Sequence, residues 1–236
     1  MEYWELLIEE ANSRHGKKFK ITPKKDKKLM WKTLNFGLNI LVHWAPKILT
    51  FGLAKTNPVD IFNSFDTVIG YTLYTASHPI PWEKRQLHVK NETISHEIDH
   101  LDALNIGDHD ARRFGKAPVA LLPWHQRMLN MLKYLIYPLP FKYATYRQNI
   151  EKTGYERTLE HIIVAQKGKV PKLYRLWLIK VFSGPEYGWM ATPKKAEVIA
   201  DEIISNVEKK YRAGKIHYSK YLKEKKNNEN KESSLA

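Results

Sequence analysis

A mainly helical α+β domain with one small sheet is the fold class this sequence predicts, and three observations predict it. Several long segments repeat apolar residues at helical spacing, as in 3–13 and 193–212. One run, Asp66 to Thr75, is instead rich in β-branched and aromatic residues and stops before Pro79 and Pro81, which is strand composition. The third is His96-Glu97-Ile98-Asp99-His100, a histidine pair at i and i+4 that an α-helix stacks on one face.

The elements follow in order. Tyr3 to Ser13 predicts a helix with Trp4, Leu7 and Ala11 on one stripe and Gly16 just past its end. Lys17 to Lys28 is basic, and Thr22-Pro23 within it suits a helix start; a helix from about Lys24 to Trp44 would stop before Pro46. The apolar stretch Leu34 to Ala54 carries His43, Pro46 and Lys47 at its centre, which favours a buried or groove-lining helix over a membrane span. Asn57-Pro58 marks a turn. Asn91 is a candidate cap for the histidine helix, which ends near Gly107 and places Ile94, Ile98, Leu101 and Leu104 on a stripe away from His96, His100 and Ala103. Pro118 to Tyr137, Tyr143 to Ala165 and Pro193 to Arg212 predict further helices, and Leu173 to Val181 a helix or strand. The polar tail from Lys220 predicts disorder.

Composition narrows the function. With 236 residues there is enough chain for one well-buried domain, and with no cysteine any metal must be held by His, Asp or Glu. Met1-Glu2-Tyr3-Trp4-Glu5 is acidic where a secretory signal would be basic, so the expected location is cytoplasmic or within an assembled particle. A net charge of +14 favours anionic partners, yet the basic residues are dispersed and form no nucleic-acid module; nucleic acid is an unlikely partner and no transmembrane segment is expected.

Paired histidines at this spacing point to a zinc site. Glu97 sits roughly 100° around the helix from His96, beyond easy ligation but within reach of a water on the ion. Catalytic zinc takes three protein ligands, and Glu151, Glu156 and Glu160 are all candidates for the third; spacing does not choose among them. Asp99 and Asp102 are candidates to orient a ligand histidine, although acidic residues on helices are more often exposed, as His109 and His125 are more often incidental than ligands.

Three further motifs follow in order: Tyr137-Pro138-Leu139-Pro140; Arg147, Glu151, Gly154 and Tyr155; and Phe182-Ser183-Gly184-Pro185-Glu186-Tyr187-Gly188-Trp189-Met190. With the histidine motif they resemble HExxH zinc metallopeptidase-like proteins of the gluzincin type, found in bacteria and phages. The resemblance spans Asp66 to Met190 and departs at Gly154, where alanine is usual, and at Ala191-Thr192-Pro193, where Trp-Pro-Phe is usual. It implies a zincin-like domain over 61–212, preceded by a helical extension over 1–60 and followed by the basic tail 213–236. It also implies a sheet whose edge strand lies over the histidine helix, where an extended peptide could pair. In the site it implies Zn2+ on His96, His100 and Glu151, and Glu97 as general base. Tyr155, ahead of Arg147 and His125, would stabilise the oxyanion, with Trp189 and Met190 as core or cleft wall. The expected activity is hydrolysis of a peptide or amide bond in a protein or cell-wall peptide. The alternative is a structural or binding protein, such as a phage virion component contacting other virion proteins, that keeps the fold with little turnover.

Overall fold

The computed structural model describes residues 1–40, 66–76, 80–108, 111–136, 145–184 and 190–233. Its helices are α1 (Tyr3–His15), α2 (Lys28–Asn39), α3 (Leu87–Asn105), α4 (Trp124–Ile136), α5 (Thr145–Ala165), α6 (Lys172–Ser183), α7 (Pro193–Arg212) and α8 (His217–Ser233). The strands are β1 (Lys20–Pro23), β2 (Thr67–Ile69) and β3 (Thr72–Thr75), in spatial order β1-β3-β2. The predicted α+β class with a small sheet is what forms.

The expected single strand is a hairpin. Gly70 adopts φ +59, a left-handed conformation that suits a tight turn, and folds β2 antiparallel onto β3 with Val68 opposite Leu73. The third strand comes from the basic stretch that suggested a helix start. There Lys20 to Pro23 pairs parallel with Thr72 to Thr75, placing Ile21 beside fully buried Leu73. Four residues are too few for sequence alone to show the alternation. Edge strand β2 touches α3, and among the described residues its outer edge has no strand partner.

Two cores flank α3. One joins α1, the sheet and α3 through Tyr3, Leu7, Ala11, Leu73, Ile94 and Ile98; the other joins α5, α6 and α7 through Leu159, Ile163, Leu178, Phe182, Ala200 and Ile203. Helix α7 begins at Pro193 behind an N-cap at Thr192, whose hydroxyl accepts from Lys195 N at 3.3 Å. It buries Ala196, Ile199, Ala200, Ile203 and Val207, one face at helical spacing.

Several expectations are corrected. The N-terminal segment is no appendage as far as it is described: α1 packs on α3 and β1 completes the sheet. Its buried stripe starts at Tyr3 and not Trp4, and Gly16 ends the helix at φ 60. The tail is helical from His217, because Tyr218 and Tyr221, three apart on one face, pack with ring centroids 4.9 and 5.1 Å from Tyr3. Asn91 does not cap its own helix: α3 starts at Leu87, and the buried Asn91 side-chain Oδ1 instead accepts from Trp4 N at 3.1 Å, in the first turn of α1. Helix α2 exposes Leu34 and Phe36, where a buried face was expected; 41–54 of that apolar stretch lies outside the described residues, as do Asn57-Pro58, His109, 137–140 and Trp189. Met190 is described, and it is buried in the second core.

Candidate metal centre

Helix α3 runs between the two cores, with its apolar stripe toward α1 and the sheet and its opposite face toward α5. That opposite face carries Ser95, His96, Asp99 and His100. Helix α5 answers with Glu151, Gly154, Tyr155, Thr158 and His161, so polar side chains meet along a buried seam. Ser95 Oγ lies 2.8 Å from His161 Nε2, and Arg157 Nε donates to Asp99 Oδ1 at 3.3 Å and Nη1 to Glu160 Oε1 at 2.8 Å.

At the centre of the seam the histidines meet Glu151. Its Oε2 is 3.4 Å from His96 Nε2 and 3.7 Å from His100 Nε2. Ligands about 2.0–2.1 Å from a tetrahedral zinc stand about 3.4 Å apart, so these separations suit a shared ion. Glu151 Oε2 and His100 Nε2 are moreover buried without any hydrogen-bond partner. Uncompensated burial of a carboxylate oxygen and an imidazole nitrogen aimed at each other is costly, and a cation between them would satisfy both. Glu97 also belongs to the cluster: ligand atoms of His96, Glu97 and His100 all lie within 4.8 Å of one another. Its carboxylate, however, approaches His100 from the Nδ1 side, at 3.9 Å, whereas both Nε2 atoms face Glu151. Glu151 Oε2 thus stands near each Nε2 atom, while the residues whose ligand atoms all lie within 4.8 Å of one another are His96, Glu97 and His100.

The other two candidates are engaged elsewhere. Glu156 accepts from Asn206 and Lys210, each at 2.9 Å, and Glu160 from Arg157. Asp102 is buried on the α1 side of α3, paired with Arg14 and His15, and orients neither histidine of the cluster. Asp99 is buried too, against Arg157. His125 is exposed at the start of α4, beside Trp124. Tyr155 packs edge-on against His96 with ring centroids 4.7 Å apart and also against Trp177 and Phe182, so its ring braces the histidine from the apolar core. Arg147 reaches 4.0 Å from Glu151 Oε1, the i, i+4 pairing open to it on one helix.

Burial and charge set the protonation of the metal-free cluster. Burial opposes the Glu151 charge, but His100, His96 and Arg147 outweigh it and hold the carboxyl down to about 2. Burial first, then the neighbouring His96, lowers His100 to about 4. Burial also pulls His96 down, yet Glu151 dominates and raises it overall. An ionised carboxylate and a neutral imidazole are the forms that ligate zinc. Burial pushes Glu97 up to about 8, against the pull of His96.

Two residues outside the expected set complete the geometry. Tyr134, on α4, donates its hydroxyl to Glu151 Oε1 at 2.6 Å and so turns Oε2 toward the histidines. Nothing in the sequence singled out a tyrosine inside an apolar helix. Removing that hydroxyl (Tyr134→Phe) is expected to lower zinc affinity by about 10–100-fold, measurable by competition with a chelator, because the candidate ligand carboxylate loses its orienting bond. Gly154 has a second, steric role. A Cβ there would stand 2.8 Å from His96 Cε1 and 2.9 Å from both His96 Nδ1 and His100 Nε2. Alanine, usual at this place in the resembled family, does not fit unless both rings move. Gly154→Ala gains about 1 kcal/mol of helix propensity, which offsets part of an overpacking cost of about 1–3 kcal/mol. The expected result is little change in melting temperature but at least about tenfold weaker zinc binding, since both candidate ligand rings, and the His100 Nε2 atom directly, are displaced.

Comparisons of the chain with family models, with curated proteins and with solved structures give no match. Its chemistry rests on this geometry.

Proposed function

We propose that the chain is a zinc-dependent hydrolase of peptide or amide bonds, resembling the gluzincin-type metallopeptidases. The observation that carries the reading is the convergence of Glu151 Oε2 with the Nε2 atoms of His96 and His100, two of these three atoms being otherwise without partners. His96, His100 and Glu151 would hold the ion. A bound Zn2+ would supply Lewis acidity toward a carbonyl and ease the deprotonation of water.

The chain's own residues do the rest. Glu97, adjacent in sequence to one ligand and 3.9 Å from the ring of the other, takes the proton of the attacking water and passes it to the leaving amine. Its burial keeps that proton from bulk solvent. An added cation beside the carboxylate draws its pKa down from about 8 and leaves it a base near neutrality. Edge strand β2, against α3, offers main-chain groups to an extended substrate.

Glu97→Gln tests the reading. The variant keeps one zinc per chain, by elemental analysis, and loses about 10²–10⁴-fold in the rate at which a peptide mixture is cleaved, followed by mass spectrometry. Zinc-loaded wild type that cleaves nothing, or a variant as active as wild type, would count against catalysis. Either result would favour a zinc-bearing structural protein. Among the described residues no helix is long and apolar enough to cross a membrane.

A further inference from the structure

One turn past His100, α3 opens onto a cavity of about 330 Å³. Its walls are apolar: Val68 and Tyr71 from the hairpin, Leu104 from α3, and Trp124, Met128 and Met131 from α4. Tyr134 forms one end, and its hydroxyl is the donor to Glu151. The cavity and the metal cluster thus share a wall, with the Tyr134 and His100 ring centroids 5.6 Å apart. Leu104 lies four residues after His100, one helical turn of about 5.4 Å along the same face.

Three features describe the occupant. Ligand pockets run from roughly 300 to 1,000 Å³, so this one, at the lower end, suits a single large side chain better than a folded peptide. The cavity is bounded by Thr67, Val68 and Ile69, which are all of edge strand β2, and a strand added there would project alternate side chains toward its mouth. The cation among its lining residues, Arg127, already bonds Tyr71, so the walls favour an apolar occupant over a charged one.

We infer that this cavity is the specificity pocket of the site, taking a large apolar or aromatic side chain of an extended peptide within two residues of the bond held over the cluster. The inference rests on the peptidase reading for its place in a reaction, but the pocket itself can be tested without turnover. Methionine side chains supply the adaptable, polarisable wall that aromatic groups favour.

Two measurements test it. In the first, the protein carries ¹³C-methyl methionine and is titrated with N-acetyl-phenylalanine amide or N-acetyl-glycine amide. The Met128 and Met131 methyl signals shift with the phenylalanine compound and not with the glycine one, while those of Met1 and Met190 stay in place. Leu104→Trp, which fills the cavity, abolishes the shift. Unmoved Met128 and Met131 signals at 10-millimolar order of ligand, or equal shifts with glycine, would overturn the pocket. In the second, zinc-loaded wild type and Leu104→Trp digest one peptide mixture. Wild type prefers Phe, Leu or Met over Ala near the cleaved bond by about 10–100-fold, and Leu104→Trp reverses or removes that preference. Cleavage that Glu97→Gln abolishes but Leu104→Trp leaves unaltered in preference sinks the pocket and spares the peptidase. Methyl shifts without any cleavage spare the pocket and sink the peptidase.

Discussion

Glu151→Ala abolishes stoichiometric zinc binding, with affinity falling by on the order of a thousandfold, because it deletes the one anionic donor of the three proposed protein ligands. The geometry makes this the sharpest single change available. Glu151 Oε2 is the atom on which both imidazoles converge, at 3.4 and 3.7 Å, and Oε1 is already committed to Tyr134 at 2.6 Å. Glu151→Gln separates charge from shape: the amide keeps an acceptor for Tyr134 but loses the anion, and it recovers only part of the affinity. In the metal-free variant Glu151→Ala, burial of His96 is opposed only by the charges of Glu97 and Asp99, so the pKa that Glu151 helps to hold up falls, and the imidazole proton signals titrate at lower pH. Dialysis against zinc followed by elemental analysis reads the first effect, with Glu156→Ala as the control that retains metal. A Glu151→Ala protein that keeps zinc as tightly as wild type would remove the centre as described.

Asp102→Ala costs about 3–5 kcal/mol of stability, a large share of the roughly 5–15 kcal/mol that holds a domain folded. Asp102 lies on the reverse side of the histidine helix, where it accepts from Arg14 Nη2 at 3.0 Å and contacts His15 Nε2 at 2.6 Å. All three side chains are almost fully buried. Arg14 also donates to Gly115 O at 2.9 Å and keeps Glu10 at 3.8 Å, so deleting Asp102 leaves a buried guanidinium with one distant carboxylate for charge balance. Urea unfolding reads the loss as a lower midpoint. Replacing both members, Arg14→Met with Asp102→Leu, recovers only part of it: the stranded guanidinium is gone, but buried Glu10 loses Arg14 and His15 loses its Asp102 partner. A loss under about 1 kcal/mol for Asp102→Ala would mean that water reaches this pair and that α1 is held to α3 mainly by Tyr3, Leu7 and Ala11.

Local chemistry made much of this legible. The i, i+4 spacing of His96 and His100 places two imidazoles on one face in any helix, and the β-branched run before Pro79 had to be extended. Pro193 after Thr192 starts a helix wherever it stands on the surface of a fold. These readings need only neighbours within one turn or one strand. What failed locally failed for a tertiary reason. Lys20–Pro23 is too short to declare itself and is a strand because β3 lies beside it. The tail is a helix because Tyr218 and Tyr221 find Tyr3, more than two hundred residues away in sequence. Asp102 looked like a residue for solvent or for the histidines until α1 brought Arg14 and His15 to it.

The third ligand shows the division most clearly. Glu151, Glu156 and Glu160 are chemically identical and share one helix, so the sequence alone determined that a carboxylate could complete the site and not which one. The choice depends on the rotation and approach of α5 against α3. Gly154 sets that approach, since the absent Cβ is what lets the α5 backbone rest on the two rings. Tyr134, from a third helix, then sets which oxygen turns inward. Composition and spacing fixed the donor types; only packing, by excluding water and closing distances to a few ångströms, made three separated side chains into one site.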